Sequence, residues 1–146
     1  MDVRVQQAPF DFGAEANAFA SGHRDMGAIV TFTGVVRDTD SSLARMEIEH
    51  YPGMTEKALR EHADEALRRF KLGDVKIIHR YGPLEPGEMI MMVATAAPHR
   101  VDAFQAAEFL MDYLKSRAPF WKKELTADGS EWVAAKSEDE DALDRW

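Results

Sequence analysis

The sequence predicts an α+β domain with a mostly antiparallel sheet and two main helices. Three patterns support this prediction: β-branched apolar runs typical of strands, two long segments with apolar residues at helical spacing, and turn residues between neighbouring elements. The 146 residues, of which 45% are hydrophobic, are enough to bury a core, and no linker or repeat divides them. We therefore expect one domain over residues 1–146.

Seven segments have the apolar pattern of strands. Residues 27–37 are β-branched and apolar throughout, which predicts a buried strand with a bulge or close backbone approach at Gly34. Residues 43–50 alternate between apolar and charged side chains and predict a half-exposed strand. The other predicted strands are a short edge strand around Val3 and Val5, strands at 74–81 and 88–96, and a hairpin of 120–125 with 131–135.

Two long segments have the spacing of helices. Residues 55–70 place apolar side chains opposite a charged face, and Thr55 is positioned to cap the first turn. Residues 101–114 are apolar around most of the circumference, so this helix is either central in the domain or covered by a partner. Smaller predicted features are a helix at 13–21 closed by Gly22, a rigid turn at 82–87, Pro98 in a first helical turn, Pro119 as a helix stop, and an acidic helix capped by Ser137 and ending on Trp146.

Composition excludes several classes of function. The net charge is −8, and residues 124–146 carry eight acidic against two basic residues, so we expect no nucleic-acid partner. The absence of cysteine excludes disulfides, thiolate metal ligands and a cysteine nucleophile. The N-terminus lacks the apolar core of a signal peptide, and the longest apolar run, residues 89–97, is too short to span a bilayer. We expect a cytoplasmic protein with no membrane partner.

Common catalytic motifs are also absent. The chain has no Gly-rich phosphate loop, no GxGxxG, no GxSxG and no HExxH. Its five histidines show no ligand spacing that supports a metal site, so we expect neither a metal nor another cofactor. We expect His62 on the surface among helix charges and His79 in a structural role within a strand.

Residues 111–123 reverse the charge of the chain locally. Clustered cations repel one another unless an anion binds, so this stretch predicts an anion-handling site. The alternative, which composition leaves open, is that these side chains serve the dipole of a helix C-terminus or lie over neighbouring aromatic rings. The four cations, which fall within nine residues, are Lys115, Arg117, Lys122 and Lys123.

Lys115 and Lys122 are the candidates for chemistry in this stretch. Lys115 lies one helical turn after Met111 beside apolar residues, and partial desolvation favours the neutral amine that acts as a base or nucleophile. A helix end followed by a returning strand would bring Lys122 close to Lys115, so that each ammonium disfavours the charge on the other.

Two further positions suit an anion. His99 and Arg100 stand at the start of the apolar helix, where free N–H groups and the helix dipole attract negative charge. Arg37 ends a strand and opens a polar loop, which is a common place for a ligand-facing residue. Ordinary roles remain open for all three: solvated first-turn residues for His99 and Arg100, and pairing with a loop aspartate for Arg37.

With these residues assembled, the chain closely resembles the family of catalytic (large) subunits of molybdopterin synthase. The matching segments occur in family order and extend nearly end to end, down to the terminal Arg145 and Trp146. The longest has fourteen residues, which makes the match specific. The segments are TFTGVVR at 31–37, EHYPGMTEKAL at 49–59, IHR at 78–80, APHR at 97–100 and MDYLKSRAPFWKKE at 111–124.

The resemblance implies a hammerhead-like α/β fold with a β-hairpin subdomain, in a homodimer that binds one small ubiquitin-like sulfur-carrier subunit at each end. The family converts cyclic pyranopterin monophosphate to molybdopterin by installing two sulfurs as a dithiolene. It takes them from a thiocarboxylate on the C-terminal Gly-Gly of the carrier in the resulting heterotetramer. A chain without cysteine cannot carry persulfide sulfur itself, which agrees with an external sulfur source.

The resemblance also assigns roles to the residues already singled out. Lys115 and Lys122 match the catalytic lysines of the family, and Arg37 matches a substrate-contacting arginine. His99 and Arg100 match an anion pocket that the family completes across its dimer interface. Further substrate contacts are expected at Val35, Val36, Lys123 and Glu124, while Arg117 is expected to be structural and to bond helix-end carbonyls.

The chain departs from the family pattern at two positions. Val35 stands where some members have a basic residue, and Lys136 stands where some have arginine, whose planar fork lysine lacks. Two alternatives from other classes stay open: a non-catalytic carrier-binding module of the same fold, and a general phosphate-ligand binder. The retained lysines speak against the first alternative, and the match over the whole chain speaks against the second.

Overall fold

The computed structural model describes residues 1–38, 42–134 and 136–146, and its mixture of helices and mostly antiparallel strands confirms the α+β class. No helix among the described residues combines the length and apolar character needed to span a bilayer. The strands are β1 (Asp2–Gln6), β2 (Ala28–Val35), β3 (Leu43–His50), β4 (Asp74–Arg80), β5 (Gly82–Leu84), β6 (Met89–Ala97), β7 (Phe120–Thr126) and β8 (Gly129–Val133). The helices are α1 (Phe12–Ser21), α2 (Met54–Arg69), α3 (Arg100–Ser116) and α4 (Ser137–Ala142), followed by a 3-10 turn at Leu143–Arg145.

The strands divide between two four-stranded sheets. The first sheet has the order β1-β4-β6-β2 and is antiparallel except for the parallel pair of β1 and β4. The second has the order β5-β3-β7-β8 and is antiparallel throughout. The predicted hairpin of β7 and β8 and the predicted edge position of β1 are confirmed, although the hairpin turn is tighter than predicted, because Thr126 pairs with Gly129.

Strand β2 lies at the other edge of the first sheet, so the prediction of a buried strand is wrong. Phe32 and Val35 on this strand are exposed within the single chain. Apolar content does not distinguish burial inside a chain from a surface that another chain covers. The irregularity predicted at Gly34 is confirmed: the register with β6 shifts between Gly34 and Val35, and a Cβ at Gly34 would lie 3.4 Å from Met91 Sδ.

The core packs both faces of the first sheet. Helices α2 and α3 cover one face through side chains such as Leu59 and Leu110, whereas α1 covers the other by packing Phe19 near Ile78 and Met92. The two central strands, β4 and β6, are therefore buried on both sides. Strand β6 is an almost continuous apolar run, whereas β4 also buries the polar side chains of Lys76, His79 and Arg80.

Thr55 does not cap α2, contrary to the prediction. It lies inside the helix, where its buried hydroxyl accepts a hydrogen bond from the Tyr51 N–H at 2.8 Å and donates one to the Pro119 carbonyl at 3.0 Å. Because Tyr51 precedes α2 and Pro119 precedes β7, this one hydroxyl ties the start of a helix to the bend between α3 and the second sheet.

Three other local predictions are wrong for identifiable reasons. Residues 82–84 form β5, since they pair with β3, and only the residues after them turn. Pro98 lies outside the first turn of α3, because His99 already occupies the N-cap position. Ser137 is the first residue of α4 rather than its cap, and Lys136 stands before it without a capping side-chain hydrogen bond.

The acidic tail packs against α3 instead of extending into solvent. Arg145 places its guanidinium on the buried Asp112 carboxylate, with both oxygens 3.0 Å from one terminal nitrogen. Trp146 donates its indole N–H to the same carboxylate and packs its ring edge-on against Phe70 and Phe109. This closure holds α4 beside the C-terminal half of α3, because α4 leads directly into these residues.

His62 is not on the surface, contrary to the prediction. Its ring stacks on Phe109 and Tyr113 of α3, with centroids 4.4 and 3.8 Å away. Burial lowers the pKa of His62 to about 4, although the charge of Glu65 opposes this shift. The helical charge pattern of α2 did not reveal that one polar position faces the neighbouring helix.

Candidate active site

Lys115 and Lys122 are brought together by the bend between α3 and β7. Lys115 stands in the last turn of α3, and the chain then turns through residues 117–119 into β7, where the Thr55 hydroxyl holds the Pro119 carbonyl. Successive residues of a strand face opposite sides, so Phe120 and Lys122 share one face of β7. That face meets the end of α3, because Lys115 and Lys122 line the same cavities.

The two lysines stand between two cavities of different character. The larger, about 140 Å³, lies between the end of α3, the end of β8 and the tail, with Lys136 and Asp139 in its wall. The smaller, about 60 Å³, lies between α3, β2 and β6 and is otherwise lined almost entirely by apolar side chains. Three lysines against one aspartate give the larger cavity a net positive charge, which suits an anionic ligand.

Lys122 is the desolvated amine of the pair. Burial and, to a smaller extent, the charge of Lys115 lower its pKa to about 8, while Asp139 partly opposes this shift. The expectation that desolvation falls on Lys115 is wrong, since that side chain is exposed at the end of α3. In the described part of the chain, neither ammonium group has a hydrogen bond or ion pair, so both are available to a ligand.

His79 joins this site, although its sequence context suggested only a structural role. The imidazole is buried in β4 and stacks on Phe120 of β7 with 3.8 Å between ring centroids. Its Nδ1 lies 2.8 Å from the Arg80 carbonyl, and the ring lines the smaller cavity with both lysines. The pKa of His79 is lowered to about 3, mainly by burial. The positive charges of Lys122 and Lys115 contribute to this shift because they repel a charged imidazolium.

Arg37 and its neighbours lie on the β2 side of the site. Val35 lines the smaller cavity, and the exposed Arg37 follows two residues later without an ion pair to Asp38, whose carboxylate accepts from the Leu43 N–H. The alternative partner proposed for Arg37, Asp40, lies outside the described residues. Val36 is 2% exposed and belongs to the core, so its side chain does not face either cavity.

His99 and Arg100 lie far from the lysines of their own chain. They occupy the N-terminal end of α3, and a rise of about 1.5 Å per residue places Lys115 roughly 22 Å further along the helix. Arg37 is also distant from them, because Val35 pairs with Met89 at the start of β6, whereas His99 follows the end of β6. A single chain therefore does not join the predicted anion pocket to the lysine site.

Lys123 and Glu124 are not brought to the lysine cavities. Lys123 faces the opposite side of β7 from Lys122, where its ammonium lies 5.3 Å from the centroid of the Trp132 ring. Glu124 lines a separate polar cavity at the hairpin turn with residues such as Asp128 and Glu131. The two substrate contacts predicted for them stay predictions.

Arg117 is structural, but it does not bond helix-end carbonyls as expected. Its guanidinium forms an ion pair with Glu140 of α4 at 2.7 Å. This contact joins α4 to the end of α3 and so helps to place Asp139 at the cavity wall. Sequence analysis missed Asp139, because one acid in a run of four consecutive acidic residues carries no mark that distinguishes it from a solvated charge.

The side chains of the site decide which ligands it could hold. Among residues 1–38, 42–134 and 136–146, no three histidine, aspartate or glutamate side chains are grouped so that they could hold a metal ion. The chemistry available to the site is that of paired amines: a desolvated ammonium, an exposed amine and a neutral imidazole beside an apolar cavity. Such a set can bind an anion, stabilise developing negative charge and transfer protons.

The fold and site thus define an α+β protein with a pair of lysines beside a net positive cavity at the end of helix α3. The chain belongs to the MoaE protein family, whose model matches residues 5–117.

Individual relatives agree with this assignment. The molybdopterin synthase catalytic subunit of Cereibacter sphaeroides is 66% identical over 146 residues, with all of both chains covered. The solved molybdopterin biosynthesis MoaE protein of Burkholderia ambifaria is 54% identical, with a TM-score of 0.85 over 99% of this chain and 97% of that one. A Helicobacter pylori complex of subunits 1 and 2 of molybdopterin-converting factor matches with a TM-score of 0.76 at 20% identity, covering 92% of this chain and 90% of that one, which shows the fold alone.

Proposed function

We propose that the chain is the catalytic subunit of a molybdopterin synthase. In this reaction, sulfur from a thiocarboxylated carrier protein converts cyclic pyranopterin monophosphate to molybdopterin. The observation that carries the proposal is the placement of Lys115 and Lys122 at one cavity wall, beside a net positive cavity. Family membership and the catalytic-subunit relative support the same reaction. The absence of cysteine requires that the sulfur come from another molecule.

The larger cavity suits the sulfur donor. A thiocarboxylate is an anion at the end of a flexible peptide tail, and this cavity presents Lys115, Lys122 and Lys136 to it. The thiocarboxylate sulfur attacks an electrophilic carbon of the pterin side chain, and a C–S bond forms as a C–O bond at that carbon breaks. The displaced oxygen stays on the phosphate, whose ring opens to a monoester, or leaves as water. Water then cleaves the bond between the sulfur and the carrier acyl group, which releases the carrier as a carboxylate and leaves the sulfur on the pterin. A second carrier repeats the two steps.

The lysines have separate jobs in this proposal. The exposed Lys115 acts as the acid–base group or transient nucleophile at the carrier carbonyl. The desolvated Lys122 stabilises negative charge during sulfur attack and loss of the carrier, and an ammonium does this more strongly where water is excluded. Arg37 holds the substrate on the β2 side, and His99 with Arg100 of a second copy hold the phosphate, since one chain keeps them apart.

A reconstituted reaction tests this function. The purified chain, a thiocarboxylated carrier ending in Gly-Gly and the cyclic pyranopterin monophosphate should yield molybdopterin. A Lys115→Ala variant should lose about 10²–10³-fold in turnover. Lys57→Ala, which changes an exposed lysine of α2, is the matched control and should keep its activity. Full turnover in a folded Lys115→Ala variant would remove Lys115 from the mechanism, and no product from the unaltered protein would refute the proposed function.

A further inference from the structure

His79 is held in one tautomer within the site. It is 2% exposed, and its Nδ1 lies 2.8 Å from the Arg80 carbonyl oxygen. A carbonyl can only accept, so Nδ1 carries the proton and Nε2 is the unprotonated nitrogen of the neutral ring. Stacking on Phe120 at 3.8 Å, with an angle of 17° between the rings, fixes the plane in which the Nε2 lone pair lies.

The Nε2 atom of His79 opens onto the smaller cavity. This atom has no hydrogen-bond partner among the described residues. Within that part of the chain, only Nε2 of His62 is both unpartnered and sealed from solvent. The unpartnered Nε2 of His79 is therefore not sealed from solvent. Since the ring lines the 60 Å³ cavity, this cavity is where the lone pair is open.

The surroundings keep this nitrogen an acceptor. Burial disfavours a positive charge on the ring most, and the charges of Lys122 from β7, Lys115 from α3 and His50 from β3 add to this. The hydrogen bond to the Arg80 carbonyl opposes the shift, and the pKa of His79 falls to about 3. The neighbouring Arg80 guanidinium is already engaged by the Gln7 carbonyl and Glu88. At neutral pH the imidazole cannot donate from Nε2.

Few protein groups could satisfy this acceptor. Apart from the two lysines, neither of which bonds to it, the cavity is lined by side chains without N–H or O–H groups. These apolar neighbours come from β2, β6 and α3 and include Phe32, Ile90 and Met111. A buried acceptor in an apolar cavity selects a ligand donor strongly, because the alternative is an unmet hydrogen bond.

We propose that Nε2 of His79 accepts a hydrogen bond from an N–H or O–H group of the bound pterin substrate, beside the two catalytic lysines. The inference rests on the proposed function, because it needs a pterin in this site. A cavity of 60 Å³ admits the edge of a pterin rather than the whole ring system, and pterins carry N–H donors along their edges. His79 is then a substrate-contacting residue that orients the pterin toward the lysine pair.

Two substitutions at His79 separate the lone pair from the shape of the ring. His79→Phe keeps an aromatic ring for stacking on Phe120 and removes the acceptor. We expect it to lower kcat/KM for the pterin about 10-fold, mostly through KM, because the lost hydrogen bond leaves a substrate donor unpaired. His79→Gln can place its amide oxygen near the former Nε2 position and should recover most of the loss.

His62→Phe is the matched control. It replaces a half-buried histidine whose sealed Nε2 is also unpartnered among the described residues. This ring stacks on aromatic rings but lies outside both cavities, so kcat/KM should stay unchanged. Unchanged kinetics in His79→Phe would overturn the inference and assign the open nitrogen to water alone. If the unaltered protein makes no molybdopterin, the proposed function itself is refuted. This outcome is distinct from a failure of the inference about His79, which would appear only in the variants.

A measurement without substitution at His79 covers the case in which His79→Phe does not fold. The inactive Lys115→Ala protein, labelled with ¹⁵N histidine, is titrated with cyclic pyranopterin monophosphate. The unprotonated Nε2 resonance of His79 should shift upfield on binding, as an acceptor nitrogen does when it gains a hydrogen bond. Binding with no change at this resonance would overturn the inference, whereas an unchanged His62 resonance is expected.

Discussion

The two ends of helix α3 carry similar charges but differ in completeness. At the C-terminal end, Lys115 meets Lys122, His79 and two cavities, all contributed by one chain. At the N-terminal end, His99 and Arg100 are exposed, and no other charged side chain in the described residues pairs with them. Exposed apolar side chains accompany this second end, where Val101 and Phe104 are 60% and 61% exposed.

This difference suggests separate roles for the two ends of α3: catalysis at the C-terminal end and contact with a second chain at the N-terminal end. Desolvation of a lysine requires several elements to close around it, and α3, β7 and the tail do so within one chain. A solvated cation pair beside apolar side chains has the character of a surface that another chain completes. We therefore propose that one end of α3 is a finished reaction centre and that the other is half of a binding site.

The largest expected effect concerns the finished end. Lys122→Met keeps the length of the side chain and removes the charge, and it should lower kcat/KM by about 10³-fold. Lys123→Met changes the next residue, which lies on the opposite face of β7, and should lower kcat/KM by no more than about 10-fold. Steady-state kinetics in the reconstituted reaction measures both, and equal losses would contradict the assignment of the two faces.

Mixed dimers test the unfinished end. Arg100→Ala and Lys115→Ala proteins should each be nearly inactive alone. When the two chains are co-expressed and reassort freely, half of the dimers are mixed and each has one intact site, which predicts about a quarter of the wild-type activity. Tagged, purified mixed dimers allow the direct measurement. An inactive mixture would show that Arg100 serves the lysines of its own chain.

The pH dependence sharpens the role of Lys122. Its pKa of about 8 means that the ammonium is present below pH 8 and is lost as the pH rises through that value. If the ammonium stabilises negative charge, kcat/KM should be flat below pH 8 and fall about tenfold per pH unit above it. Lys122→Arg, which stays charged, should abolish this alkaline limb even if its activity is lower. A limb that persists in the variant would assign it to another group.

The smallest effect is on stability. Because the folded pKa of Lys122 lies below its ordinary value of 10.5, the charged lysine destabilises the fold at pH below 8, and the penalty vanishes as the pH rises from 8 towards 10.5. Lys122→Met should therefore raise the free energy of unfolding by about 2 kcal/mol at pH 7 and by less at pH 9.5. Urea unfolding measures this.

Arg100→Met is the stability control at the other end of α3. An exposed side chain outside any network should change the free energy of unfolding by less than about 0.5 kcal/mol at both pH values. A similar gain from Arg100→Met would show that Lys122 is not distinguished by its burial.

Local chemistry explains which predictions from the sequence succeeded. Alternation and β-branching placed β1, β3, β4, β6 and the hairpin, and the proline after α3 placed the bend that joins Lys115 to Lys122. The predicted cap at Thr55 was wrong because its hydroxyl bonds to the Tyr51 N–H and the Pro119 carbonyl instead, and a short sequence pattern does not choose among such partners. The predicted cap at Ser137 was wrong by one residue, since α4 already begins at Ser137. The prediction that β2 is buried was wrong, because apolar content alone does not show whether a strand lies at the centre or at the edge of a sheet.

The sequence by itself determined the class of fold, the family and the identity of the two candidate lysines, because these depend on periodicity, composition and ordered motifs. Only the tertiary structure decided which lysine is desolvated, that His79 lines one cavity with both lysines, and that His99 and Arg100 stand about 22 Å away along α3. The physical reason is that burial and distance belong to pairs of elements remote in sequence, whereas propensity and pattern belong to each segment alone.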